Sequence, residues 1–160
     1  MVGIQDYIRE GVPLVKTTGH VETLPSHSKF GIVAVANKGR ILMVKNGDEG
    51  RGWEYPGGKC RENEEFLHAA AREFREETGY ELLNPKPICV VSESYVSENH
   101  EHHADGVVYT GKVGEKKQER EDKIENVKYF EELPDDITEI TFDRSTFREI
   151  RRLAEDETTV

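Results

Sequence analysis

The chain has 160 residues, a formal charge of −10 and no apolar run approaching the roughly 18 residues that a bilayer-spanning helix needs, which excludes such a helix. Its acidity argues against a nucleic-acid polymer as partner, because phosphate backbones are bound by basic surfaces, but a small phosphorylated ligand remains compatible if a divalent cation reverses the local field. A hydrophobic content of 35%, gathered in short runs, suffices for one domain over residues 1–160. Cys60 and Cys89 are too few for a disulfide framework or a cysteine-ligated zinc site, and the opening MVGIQDYIREGVPLV lacks the basic-then-apolar order of a signal peptide. A reducing cytoplasm is the expected location.

The runs FGIVAVA (30–36) and RILMVK (40–45) predict two β-branched strands joined by a hairpin turn at Asn37-Lys38-Gly39. A polar, glycine-rich loop, NGDEGRG (46–52), leads into WEYPGGK, where Pro56 and the pair Gly57-Gly58 end any strand and demand an unusual backbone path. Asn63 is a good N-cap and Glu64 and Glu65 suit the positive end of a helix dipole, so a helix is predicted over about 64–78. Leu67, Ala70, Ala71 and Phe74 form its apolar stripe, and Gly79 is positioned to end it.

After the breaker Asn84-Pro85-Lys86-Pro87, strands are predicted at ICVVSESYV (88–96) and GVVYTGKV (106–113). The segment between them, SENHEHHAD, reads as a flexible, exposed loop near the mouth of a site, with a transition-metal role for His100, His102 and His103 as the less favoured reading. GEKKQERED (114–122) reads as a charged loop and NVKYFEELP (126–134) as a short strand stopped by Pro134. Ser145 as cap and Phe147, Ile150, Leu153 and Ala154 as stripe predict a closing helix over about 145–156. The order implies a mixed β-sheet with helices packed against it, an α/β fold.

The acids of the central helix are what bulk composition leaves unexplained. At about 100° per residue, Glu73, Glu76 and Glu77 fall in one arc away from the apolar stripe, each a neighbour of another at i+3 or i+4. Each like-charge pair costs about 0.2–0.5 kcal/mol, and the C-terminal end of a helix disfavours negative charge further. An exposed face relieved by Arg72 and Arg75 would account for the acids alone. The preceding Gly57-Gly58 turn adds backbone that approaches a site closely, and a carbonyl oxygen with three carboxylates is a hard, all-oxygen set suited to Mg²⁺ or Mn²⁺.

Gly58, then Glu64, then Arg72-Glu73-Phe74-Arg75-Glu76-Glu77-Thr78-Gly79-Tyr80, resembles the Nudix box: G, five residues, E, seven residues, then R-E-U-x-E-E-x-G-U, with U bulky and apolar. All of its fixed positions match over residues 58–80; Phe74 fills the first U, and Tyr80 is an aromatic departure at the second. WEYPGGK is similar to the W-E-F-P-G-G-K of MutT-like members, and the turn at 131–134 resembles an E-E-L-P element of the family. The resemblance implies an α/β/α sandwich in which the box forms a loop–helix–loop, and a hydrolase of nucleoside diphosphates linked to a moiety X, using two or three divalent ions. It implies that Glu73, Glu76, Glu77 and the Gly57 carbonyl hold metal, that Arg72 orients the glutamates with support from Glu64, and that Lys59, with Gly58 and Arg72, meets substrate phosphates. The base that activates water varies in the family between a box glutamate and an acid on a later loop; here Glu119, Glu121, Asp122 and Glu125 are available, and Glu121 is favoured.

The reading that follows is a Mg²⁺-dependent pyrophosphohydrolase cleaving a nucleoside triphosphate, oxidised or not, to the monophosphate and pyrophosphate, as a monomer or homodimer. Within the same chemistry, ADP-ribose, a nucleotide sugar or a dinucleoside polyphosphate is the alternative substrate; a non-catalytic nucleotide sensor and a simple cation buffer are the alternatives outside it. Trp53 and Tyr55 are expected mainly to pack, with a nucleobase contact as the lesser role. Tyr95 is a weak pointer toward dinucleoside polyphosphates.

Overall fold

The computed structural model describes residues 2–17, 26–48, 51–97, 100–138 and 143–158. In chain order the elements are α1 (Ile4–Arg9), β1 (Leu14–Thr17), β2 (Ser26–Val33), β3 (Ala36–Asn37), β4 (Arg40–Asn46), β5 (Trp53–Glu54), β6 (Gly57–Lys59), α2 (Phe66–Thr78), β7 (Tyr80–Ser97), β8 (His100–Lys116), β9 (Ile124–Phe130) and α3 (Arg144–Thr158). One sheet runs β1-β7-β8-β2-β6, parallel at β1/β7 and β2/β8 and antiparallel at β7/β8 and β2/β6. In the second, β3 and β5 pair with successive parts of β4, and β9 pairs with β4 antiparallel.

Alternation along the strands divides the core between two layers. On one side Val33, Val90, Val107 and Tyr109 meet Phe66, Ala70 and Phe74 of α2, with Leu42, Val44 and Ile124 of the second sheet. On the other, Ala34, Ile41, Met43, Cys89, Val91 and Val108 meet Phe147, Ile150 and Ala154 of α3. Burying Phe66 or Phe74 contributes about 1.5–3 kcal/mol, which anchors α2 despite its acids. No described helix is long and apolar enough to cross a membrane. The expected α/β sandwich with its mixed sheet and C-terminal helix is therefore present.

Several boundaries differ from the sequence reading. The first predicted strand divides into β2 and β3, and the turn into β4 narrows to Lys38-Gly39, both with positive φ. α2 starts two residues late: Asn63 sits at φ +63° in the turn before it, and Glu65 occupies the cap position without a side-chain cap bond. The apolar stripe is turned accordingly, with Phe66, Ala69, Ala70 and Phe74 buried and Leu67 40% exposed. Glu77 then lies at the edge of the buried face, not opposite it.

The breaker at 84–87 does not break the strand. β7 continues through it with register shifts between Leu83 and Lys86 and between Pro87 and Cys89. β1 pairs with β7 only over Leu14–Thr17, against Val90–Ser92, so the prolines sit where one edge needs no donor. The predicted loop SENHEHHAD is likewise part of β8 from His100 onward, paired with β7 from His100 and with β2 from His102. His103 Nε2 lies 2.8 Å from Asp105 Oδ1 and 3.2 Å from Ser92 Oγ, so this histidine has a structural setting inside the hairpin. The side chains of Tyr95, His100 and His102 lie outside the described residues. α3 is capped by Asp143, whose Oδ1 accepts the Thr146 N–H at 2.8 Å, not by Ser145. α1 and β1 carry no strong sequence signal.

Candidate active site

The site is built where β6, the turn after it and α2 meet. Gly57 holds φ +153°, and a Cβ on Gly58 would stand 2.6 Å from the Glu73 carboxylate carbon. At Gly57 a Cβ would also stand 2.5 Å from the Gly31 carbonyl oxygen, so only glycine fits there, while at Gly58 a side chain would displace the Glu73 carboxylate. Gly79 ends α2 at φ +86°, donating its N–H to the Arg75 carbonyl at 2.8 Å. The Lys117 N–H then donates to the Gly79 carbonyl at 2.8 Å, and the Glu121 N–H to the Glu76 carbonyl at 2.9 Å. These bonds dock the 117–121 loop on the open end of the helix, satisfying carbonyls the helix leaves unpaired.

Arg72 organises the acids. Its Nε and Nη2 donate to the two oxygens of Glu64, each at 2.9 Å. Nη1 donates to Glu73 Oε1 at 2.9 Å and Glu76 Oε2 at 3.3 Å, and Nη2 also reaches the Lys59 carbonyl at 3.3 Å. A guanidinium has five N–H donors, and these contacts engage all of them within the protein. Arg72, expected also to meet substrate phosphates, is in this arrangement turned wholly to groups of the protein. Glu64 further accepts from the Arg61 N–H at 2.9 Å; the Arg72 bond, with this one, holds its carboxyl down at about 2. The same pairing raises Arg72 above its usual value. Arg72 is 8% exposed, so the pair is a fixed strut beneath the site.

Beside this strut, Glu73, Glu76 and Glu121 bring one carboxylate oxygen each within 4.8 Å of one another, all half-buried. Two come from the helix and the third from the loop docked on its end. Glu77 is set apart: 2% exposed, it accepts the Gly57 N–H at 2.8 Å. Burial, with Glu73 and Glu54 adding repulsion, pushes its carboxyl up to about 8 against the pull of that hydrogen bond. Burial also raises Glu73, opposed by Arg72. Of the three acids grouped from the sequence, Glu73 and Glu76 thus stand with Glu121, while Glu77 is buried against the Gly57 backbone. The donor set of the trio is hard and all-oxygen, which fits Mg²⁺ or Mn²⁺ and not a thiophilic ion.

Lys59 and Arg61 are exposed on either side of Cys60, which packs toward the core with its thiol pushed up to about 11 by burial, too high to act as a nucleophile at neutral pH. Arg61 Nη2 lies 3.9 Å from Glu76 Oε1. Sequence reading passed over Arg61, although the alternation Lys59-Cys60-Arg61 signals two basic side chains on one side of an extended segment. It also passed over Glu54, which is buried, receives Asn46 Nδ2 at 3.1 Å and Arg51 Nη2 at 2.5 Å, and raises Glu77. Trp53 packs edge-on to Phe130 at 4.7 Å and Tyr55 against Phe147 at 6.3 Å, in accord with packing roles.

The family model of the NUDIX domain matches residues 25–149. Among solved structures the chain is similar to the MutT NUDIX hydrolase from Burkholderia pseudomallei, at 26% identity and TM-score 0.62, covering 80% of this chain and 98% of that one. It also resembles the Bacillus subtilis pyrophosphohydrolase BsRppH at 21% identity and TM-score 0.60, over 88% of this chain and 89% of that one. A UDP-X diphosphatase matches at 13% identity and TM-score 0.60, over 98% of this chain and 73% of that one. At those identities the last two speak to the fold alone. No curated protein matches the chain in the sequence comparison.

Proposed function

The chain belongs to the Nudix hydrolase family, whose members act on phosphoric anhydride bonds of small nucleotides with divalent cations, and from that premise we propose that it is a Mg²⁺-dependent nucleoside triphosphate pyrophosphohydrolase. Water and a nucleoside triphosphate give the nucleoside monophosphate and pyrophosphate: one P–O bond forms to the water oxygen and one anhydride P–O bond breaks. The observation that carries this reading is the convergence of Glu73, Glu76 and Glu121 beside the Gly57-Gly58 turn. Glu73 and Glu76 would hold Mg²⁺, joined by Glu77 and the Gly57 carbonyl. Bound there, the ion neutralises diphosphate charge and makes water more acidic.

The chain's own groups do the rest. Glu121, fixed by the bond from its N–H to the Glu76 carbonyl, accepts the proton of the attacking water at a carboxylate oxygen. Arg72 keeps Glu73 and Glu76 aimed to one side, and Glu64 keeps Arg72 in place. Lys59 offers a charge to the phosphates and Gly58 lets them approach. The protein would work in the cytoplasm as one domain over residues 1–160, as a monomer or homodimer.

Incubating the protein with Mg²⁺ and a panel of nucleoside triphosphates, ADP-ribose, nucleotide sugars and dinucleoside polyphosphates, with product analysis, tests the reading. Monophosphate plus pyrophosphate from a triphosphate is the expected result. Turnover confined to the other nucleotides would move the substrate assignment to them. Nucleotide binding without any product would replace the enzyme by a sensor.

A further inference from the structure

Arg72 is buried and tied to Glu64 by two bonds, whereas a second guanidinium, that of Arg61, stands beside the same acids and is largely exposed. Arg61 has the required position and freedom. Its backbone is fixed, the N–H bonded to Glu64 Oε1 at 2.9 Å and the carbonyl accepting the Glu64 N–H at 3.0 Å. Its side chain is 68% exposed and touches the acidic trio only at Glu76, 3.9 Å away. A single ion pair this exposed is weak and readily exchanged.

We infer that Arg61 is a substrate-binding residue that changes partner: without a cation it neutralises Glu76, and when a divalent ion draws on that carboxylate it turns to a non-bridging phosphate oxygen of the diphosphate. The inference rests on the hydrolase reading above. A planar guanidinium matches two phosphate oxygens at once, which the exposed ammonium of Lys59 cannot do. The exchange gives Arg61 two opposite effects. It competes with the metal in the free protein and supports the phosphate in the loaded one.

Those opposite signs are the test. In calorimetric titration with Mn²⁺ alone, Arg61→Ala should bind the ion about twofold to fivefold more tightly than wild type. In Mn²⁺-saturated protein, the same variant should bind imidodiphosphate, a diphosphate that resists hydrolysis, about tenfold more weakly, with Arg61→Lys in between. On whichever nucleotide is turned over, KM should rise about tenfold while kcat changes less than about threefold. Weaker Mn²⁺ binding by Arg61→Ala, or unchanged imidodiphosphate binding, overturns the inference; a thermal melt like that of wild type shows the variant is folded. Neither binding arm depends on turnover, so a wild type without hydrolytic products defeats the hydrolase reading while Arg61 is still judged by Mn²⁺ and imidodiphosphate.

Discussion

The two long helices that flank the sheet obey different rules. α3 follows ordinary helix chemistry: Asp143 caps it, Phe147, Ile150 and Ala154 face the core, and Arg152 pairs with Glu149 and Asp156 along the outside. α2 lacks a side-chain cap, has no acid in its first turn, and gathers its acids in the last turns, with one arginine shared among three glutamates. Local choices in α3 agree with its fold, while those in α2 conflict with it and are held by surrounding packing. Where a stable domain carries such a conflict, function is the expected reason.

The contrast predicts where substitutions act on turnover and where only on stability. The largest effect is expected at Glu77→Gln, which should lower kcat by about three orders of magnitude or more with the fold intact. Steady-state kinetics with a circular dichroism control decide this, and near wild-type turnover would remove Glu77 from the metal set. Arg72→Lys should follow, reducing kcat about a hundredfold and stability by about 1–3 kcal/mol, because an ammonium cannot serve Glu64, Glu73 and Glu76 together. Denaturant unfolding beside kinetics separates the two losses.

The strut and the buried acid should also respond to pH with opposite signs. Glu64 falls from an ordinary 4.5 to about 2, so its contribution is present above about 4.5 and is lost as pH falls toward 2. Glu77 rises from 4.5 to about 8, so its contribution is full below about 4.5 and is lost as pH rises toward 8. In metal-free protein, Glu77→Gln should remove a decline in melting temperature between those limits, and Glu64→Gln an acid-side rise. Identical pH profiles for the two variants would contradict the separation of the strut from the buried acid. The smallest effects belong to α3: Asp143→Ala should cost about 1 kcal/mol and Arg152→Ala less than about 0.5, both without change in kcat.

This division also explains what the sequence disclosed. The box helix, its αL end at Gly79, the hairpin into β4 and the stripe of α3 all rest on local patterns, and local patterns are what a sequence displays directly. The rotation of α2 was hidden, because Asn63 and Glu64 look like a cap and first turn until the Arg72 strut is seen to claim Glu64. The continuity of β7 through Pro85 and Pro87 depends on an edge left open by β1, a fact of tertiary pairing. Glu121 was one of four acids on a charged loop, and only the docking of that loop on α2 sets it apart.

The bond between Lys117 and Gly79 has a consequence for sequence spacing. It closes the base of the β7–β8 hairpin, so the helix and the distal acid meet whatever the length of the ribbon between them. Lengthening that ribbon at its far tip, in matched pairs of residues, leaves the clamp and Glu121 where they are. The separation between Glu76 and Glu121 along the chain is therefore set by the hairpin, while their separation in space is set by the clamp.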